Sequence, residues 1–169
     1  LGSSIGAISA LGLKDGKYNY AVKKDLKDKL IKSRELGFDT VDVDLCSTYN
    51  PFDLEQILDE ILYSIKETGV KVNAFHMPFG TSWMDLTCAW ESDRLEIIKW
   101  IQKIIGKTSV ADPYAYVFHP GTTNFSPNER NAGLMRLCDT ATRLAKSTDK
   151  AICIENMVSG NLLSRTEHL

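Results

Sequence analysis

Short-range signatures of known chemistry are missing from this chain. Its four cysteines, Cys46, Cys88, Cys138 and Cys153, form no CxxC pair. Three of them lie in or beside apolar runs, where a thiol acts as a small hydrophobe, so all four read as reduced and structural. No GxGxxG follows the first apolar run and no GxxxxGK[ST] occurs anywhere, which removes the main nucleotide-binding fingerprints. The three histidines form neither HxH nor HExxH, so spacing-based metal motifs are silent. Neither charge sign dominates, since 20 Lys and Arg stand against 22 Asp and Glu for a formal net charge of -2. That balance argues against a surface built mainly to hold nucleic acid or an anionic membrane, and leaves room only for a local basic patch. The opening LGSSIGAISALGL has no basic residue before it and is too short to span a bilayer. It reads as a strand and loop rather than a signal or anchor, with the cytoplasm as the expected compartment and no membrane partner.

What is present is an ordinary globular composition, 43% hydrophobic and 25% charged, over 169 residues, a length that suits one domain with a sizeable core. The chain begins on Leu1 and stops at SRTEHL, in what reads as the first turns of a helix. A fragment, a processed chain and a trimmed chain all fit those ends.

Strand and helix periods alternate along the chain. A strand near Ser4 to Ala10 precedes a charged helix from about Tyr20 to Leu36, with Val22, Leu26 and Leu30 at helical spacing and Gly37 as its stop. FDTVDVDL sets Val41, Val43 and Leu45 against Asp42 and Asp44, then leads through Asn50-Pro51 into a helix near Asp53 to Thr68 closed by Gly69. VKVNAF ends at His76, and a polar and aromatic connection reaches a helix from about Ser92 to Ile105. AYVF precedes His119, a helix spans roughly Pro127 to Lys146, and AICIE forms a fifth strand. Strand followed by helix, repeated, is the pattern of βαβ units around a parallel sheet. Without nucleotide loops the open doubly wound sheet loses its main support. The expected fold is therefore α/β, a (β/α)8 TIM barrel truncated to about five βα units, because a complete barrel takes about 250 residues. Residues 1–169 would form a single partial barrel domain with strands 1–5, strands 6–8 lying beyond Leu169.

Three of these strands end on groups that can hold a metal or move a proton: His76, His119 and Glu155. The apolar runs before them read as strands buried on both faces of a parallel sheet, and such sheets bind ligands at the carboxyl ends of their strands. A common register thus places the three groups on one rim. Glu155 closes the run Ala151-Ile152-Cys153-Ile154, where an ionised carboxylate demands a partner, a proton or a metal; a salt bridge at the sheet edge or simple exposure is the plain alternative. Pro78 and Pro120 lead the chain off its strands and present both imidazoles at the rim, where hydrogen-bonded structural histidines are also common. Imidazole with carboxylate suits a divalent ion, whether Mn, Mg, Co or Zn. Asn156 can orient a substrate hydroxyl or make a turn. Phe79, Trp83 and Met84 offer an apolar wall over a small polar ligand, or a plug for the barrel mouth. Arg94 reads more readily as half of a surface ion pair than as an anion clamp, and Asp42 with Asp44 more readily as solvent-facing than as inward-facing.

GFDTVDVDL, AFHMPFG, VFHPG and ICIENM, in that order, resemble the xylose-isomerase-like TIM-barrel superfamily of sugar phosphate isomerases and epimerases, which also contains the zinc-dependent apurinic endonucleases. The resemblance covers essentially the whole chain and is most specific at His76 to Phe79, His119 to Gly121 and Glu155-Asn156, whereas Asp42 stands where the family usually has glutamate. It implies a divalent-metal site at the carboxyl ends of the strands with Glu155 as first carboxylate ligand, the other ligands coming from strands six to eight. It implies an isomerase or epimerase moving a proton on a sugar or sugar phosphate through an enediolate. Glu155 and His76 would then be the catalytic groups, with His119, Asn156, Phe79 and Trp83 at the substrate. In the endonuclease branch His76, His119 and Glu155 would all bind zinc and activate water against a phosphodiester. Asp85, Glu91 and Asp93 after His76, and the weakly acidic chain, stand against that branch and against a nucleic-acid partner. A third reading is a non-catalytic partial barrel whose edges are covered by a partner or by self-association into a homo-oligomer.

Overall fold

A computed structural model describes residues 2–6, 10–14, 17–20, 22–45, 51–79, 84–121, 127–157 and 162–163. In chain order the elements are β1 (Gly2–Gly6), β2 (Ala10–Lys14), β3 (Lys17–Tyr20), α1 (Val22–Glu35), β4 (Thr40–Asp44), α2 (Pro51–Thr68), β5 (Lys71–His76), α3 (Glu91–Thr108), a 3-10 turn (Ser109–Ala111), β6 (Ala115–Phe118), α4 (Pro127–Ala145) and β7 (Ala151–Ile154). Five strands form one parallel sheet in the order β1-β4-β5-β6-β7. Each new strand is laid beside the last with no reversal. A doubly wound sheet reverses its order at a switch point, so this succession is that of a barrel and not of an open nucleotide-binding sheet.

The helices begin and end where local chemistry dictates. Pro51 opens α2, where its missing N–H costs nothing. Gly37, at φ 85, ends α1 in a Schellman motif: its N–H donates to the Arg34 carbonyl at 2.9 Å and that of Phe38 to Ser33 at 3.0 Å. Gly69 ends α2 at φ 64, donating to Ile65.

The core lies between one face of the sheet and the helices. Val41 and Val43 from β4, Leu45 just after it, Phe75 from β5, and Tyr116 with Phe118 from β6 meet Leu26, Leu58, Ile61, Ile101, Ile104 and Leu144. Phe75 and Tyr116 stack across neighbouring strands with ring centroids 6.1 Å apart. Burial of both strand faces, expected from the apolar runs, holds on this helix side and on the other face reaches only Ala74 of β5 and Ala115 of β6 among the described residues. On the other face Asp42 and Asp44 are half-buried, and Ala151, Cys153 and Glu155 are exposed. That face would be the interior of a closed barrel.

Two features differ from expectation. The antiparallel hairpin β2-β3 interrupts the link from β1 to α1, and only Asp15-Gly16 separates its strands. The dipeptide Asp-Gly is a strong two-residue hairpin signal that the strand-and-loop reading passed over. Of the cysteines, Cys138 and Cys153 are free and exposed, so neither acts as a buried hydrophobe; Cys88 is free and half-buried, and Cys46 lies outside the described residues. No helix among the described residues is long and apolar enough to cross a membrane.

Candidate metal centre at the carboxyl rim

Neighbouring strands bring the three rim groups together. β5, β6 and β7 are adjacent, with His76 opposite Val117 and Val117 opposite Cys153. Residues 115, 117 and 119 therefore share a face with 151, 153 and 155. Backbone bonds continue past the strands: Met77 N–H donates to Val117 at 2.8 Å and Glu155 N–H to Phe118 at 2.9 Å, which ties both functional positions to β6.

Glu155 Oε2 lies 3.2 Å from His76 Nε2 and 3.1 Å from His119 Nε2. Met77 O lies 3.2 Å from His76 Nδ1 and Glu155 Oε2 lies 3.2 Å from His76 Nε2, so both ring nitrogens face acceptors and a neutral ring can donate to only one of them. In the tautomer with its proton on Nδ1, Nε2 presents a lone pair to a carboxylate oxygen. Protonation of a ring or a cation shared by the three atoms relieves that repulsion. At His119, burial is the largest influence and holds the pKa below 6.5, opposed by the Glu155 charge and assisted by His76. A neutral His119 is the form that ligates a metal. One ligand atom from each residue falls within 4.8 Å of the others. Two ligands around a single Zn or Mg ion at ordinary bond lengths sit about 3.0–3.4 Å apart, so the two Nε2 to Oε2 separations fit a shared ion.

Beneath the cluster is a cleft of about 480 Å³ on the inner sheet face, lined by Asp42, Asn73, His76, Val117, Cys153 and Glu155. A larger cavity of about 990 Å³ lies at the opposite, amino end of the strands, near Thr40, Lys71 and Lys150. None of the three clustered groups lines it, so volume is a poor guide here.

Several sequence expectations need correction. Among the described residues β7 is the last strand of the sheet, the Glu155 side chain is 43% exposed, and its partners are the two imidazoles. Asp42 and Asp44 face the inside of the sheet, not bulk solvent. Asp42 accepts a hydrogen bond from Asn73 Nδ2 at 2.8 Å, and Asp44 Oδ1 lies 3.8 Å from His76 Nδ1. Asp44 is the site neighbour that sequence reasoning set aside, and its two-residue alternation with Asp42 toward the rim was the available signal. Arg94 is neither a clamp nor a surface pair. It lies on α3, buried against α4, donating to Asp139 at 2.5 Å and to Thr140 at 3.3 Å. Phe79 packs on the histidines, its ring 3.6 Å from that of His119 and nearly parallel to it. Asn156 is exposed beside Glu155, and Trp83 lies outside the described residues.

Parallel βα units with imidazole and carboxylate converging at the carboxyl ends define a partial TIM barrel with a rim able to hold a divalent ion. No family model matches the sequence, and no curated protein matches it. Solved TIM-barrel structures share the chain's fold. A D-tagatose 3-epimerase-like protein is similar at TM-score 0.63 and 17% identity, over 98% of this chain and 57% of that one. D-Psicose 3-epimerase from Clostridium cellulolyticum H10, determined with D-tagatose, is similar at 0.61 and 13%, over 84% and 49%. A xylose isomerase-like TIM-barrel protein from Mycobacterium smegmatis, in complex with magnesium, is similar at 0.55 and 11%, over 84% and 49%. The chain thus spans about half the length of the structures it matches.

Proposed function

We propose that the chain carries part of the active site of a divalent-metal-dependent sugar or sugar-phosphate isomerase or epimerase. The observation that carries this reading is that Glu155 Oε2 lies 3.2 Å from His76 Nε2 and 3.1 Å from His119 Nε2, with one ligand atom of each residue within 4.8 Å of the others. The sugar ligands and epimerase names of the similar structures supply the substrate class, and the magnesium in one of them supports the ion. A bound ion would polarise a carbonyl and its neighbouring hydroxyl, making the intervening C–H acidic. Glu155 would hold that ion and exchange the proton, since an exposed carboxylate can meet the substrate from the open cleft. His76 would offer Nε2 as ligand or acceptor in the tautomer that donates from Nδ1 to Met77. His119 would do the same, and Asn156 would orient a hydroxyl. Remaining groups of the site would come from barrel strands outside this chain.

The test has two parts. Zinc, manganese and magnesium titrations by calorimetry should show one tight site per chain that Glu155→Gln weakens at least about tenfold. Proton NMR in D2O should then show metal-dependent loss of a carbon-bound proton from a ketohexose such as D-tagatose. Unchanged metal affinity in the variant would refute the ligand assignment.

The same convergence favours a second reading. All three groups meet at one point, as the endonuclease branch would require of zinc ligands, whereas the isomerase branch requires only Glu155. Cleavage of a duplex with an abasic site by the zinc-loaded chain, without proton exchange on sugars, would decide for it.

A further inference from the structure

Phe79 was expected to form a wall over the ligand, yet its ring is already engaged. Its centroid lies 3.6 Å from that of His119 at 18°, and 5.3 Å from that of His76 at 70°. The two imidazoles stand 5.1 Å apart at 81°. Three rings thus interlock, two nearly parallel and the third across both. We infer that Phe79 is a positioning residue for both imidazoles, holding their planes so that each Nε2 meets Glu155. Its consequence for metal rests on the function proposed above; its geometry does not.

The physical need is clear from what holds each ring otherwise. His76 has a hydrogen bond from Nδ1 to Met77, which fixes which edge faces Glu155. The plane of His119 is set by the stack. Stacked and edge-to-face aromatic contacts favour particular ring orientations, which selects one plane for His119 from several. Pro78 brings this about, because it carries the chain off β5 and turns the next residue over the rim. The face of Phe79 against His119 is unavailable to a substrate, so any ligand contact uses its other face or edge.

Phe79→Leu keeps bulk and hydrophobicity but removes the ring, and Phe79→Tyr keeps the ring. Zinc affinity is measured by calorimetry on the full chain, and the imidazole tautomers of the metal-free chain by long-range proton–nitrogen NMR. Phe79→Leu should weaken zinc by about 10- to 100-fold, the range for residues that orient a ligand, and should turn the His119 signals into a tautomer average. Phe79→Tyr should restore both readouts. Phe79→Leu with unchanged zinc affinity and unchanged imidazole signals would overturn the inference, as would Phe79→Tyr behaving like leucine while retaining wild-type circular dichroism. A wild-type chain that takes up no zinc would defeat the metal reading alone, and the imidazole signals would still decide the role of Phe79.

Discussion

Gly121→Ala should destabilise the chain by about 2–4 kcal/mol and loosen the proposed metal site with it. Gly121 adopts φ 121, outside the region L-residues visit, and forcing alanine there costs about 1–3 kcal/mol. Space adds to the cost. A Cβ at this position would lie 2.6 Å from Asp85 Oδ1, 2.7 Å from Thr87 Oγ1 and 3.0 Å from Thr87 Cγ2. Those atoms are not free to retreat. Asp85 Oδ1 accepts from the Thr87 N–H at 2.9 Å and its hydroxyl at 2.6 Å, and the Thr87 carbonyl accepts from Arg136 Nε at 2.6 Å. Relief therefore breaks at least one hydrogen bond of about 1 kcal/mol. In urea, with a slope of about 2 kcal/mol per M, the midpoint should fall by about 1–2 M. Because Gly121 is two residues from His119, zinc affinity measured on the folded variant should fall as well. A midpoint shift under about 0.3 M would refute the close approach of the 85–87 turn to the end of β6.

Tyr116→Phe should cost about 1–2 kcal/mol, since the fully buried hydroxyl bonds Thr108 Oγ1 at 3.0 Å and donates to Ile105 O at 3.2 Å. Burial raises the Tyr116 pKa above 10.0, so the unfolded chain ionises first and stability falls as pH rises past about 10; the phenylalanine variant should lack that alkaline loss in urea titrations. Asp139→Asn should cost about 2 kcal/mol at neutral pH by stranding the buried Arg94, a figure reduced because Asp139 itself is partly exposed. Its pKa is lowered by hydrogen bonds from Arg94 and then Arg143, so its contribution is complete above about pH 4 and lost as pH falls through the lowered value. Equal gaps between wild type and variant at pH 7 and well below pH 3 would contradict this. His119→Gln should weaken zinc more than Asp44→Asn does, because in the proposed site His119 would supply a ligand atom whereas Asp44 stands 3.8 Å behind His76.

Local grammar made the elements of the main sheet readable. Helical spacing found all four helices to within a few residues, and glycine stops were placed correctly because Gly37 and Gly69 need positive φ that few other residues tolerate. Burial was harder, because it depends on what packs against an element and not on the element. The run Ala151-Ile152-Cys153-Ile154 reads as a core strand, and in β7, the last strand among the described residues, its residues alternate between exposed and half-buried. Arg94 shows the reverse error. A charged residue near a helix start reads as surface, but α4 brings Asp139 and Thr140 over it. Neither outcome is encoded within ten residues of the position concerned.

The site was more legible than the burial, and the reason is topological. In a sheet whose spatial order matches its chain order, successive strand ends are neighbours, so motifs about forty residues apart fall about 5 Å apart in the strand-to-strand direction. His76, His119 and Glu155 stand on β5, β6 and β7, the three adjacent members of that order. Their meeting required no long-range guess about packing, only the assumption that no strand was inserted between them. The hairpin β2-β3 might have been such an intruder had it joined the sheet. It pairs only with itself, before α1, and leaves the three strands side by side. What topology cannot set is side-chain direction within that 5 Å spacing. The ring of Phe79 and the carbonyl of Met77 supply it, and both belong to the same HMPF stretch that carries His76.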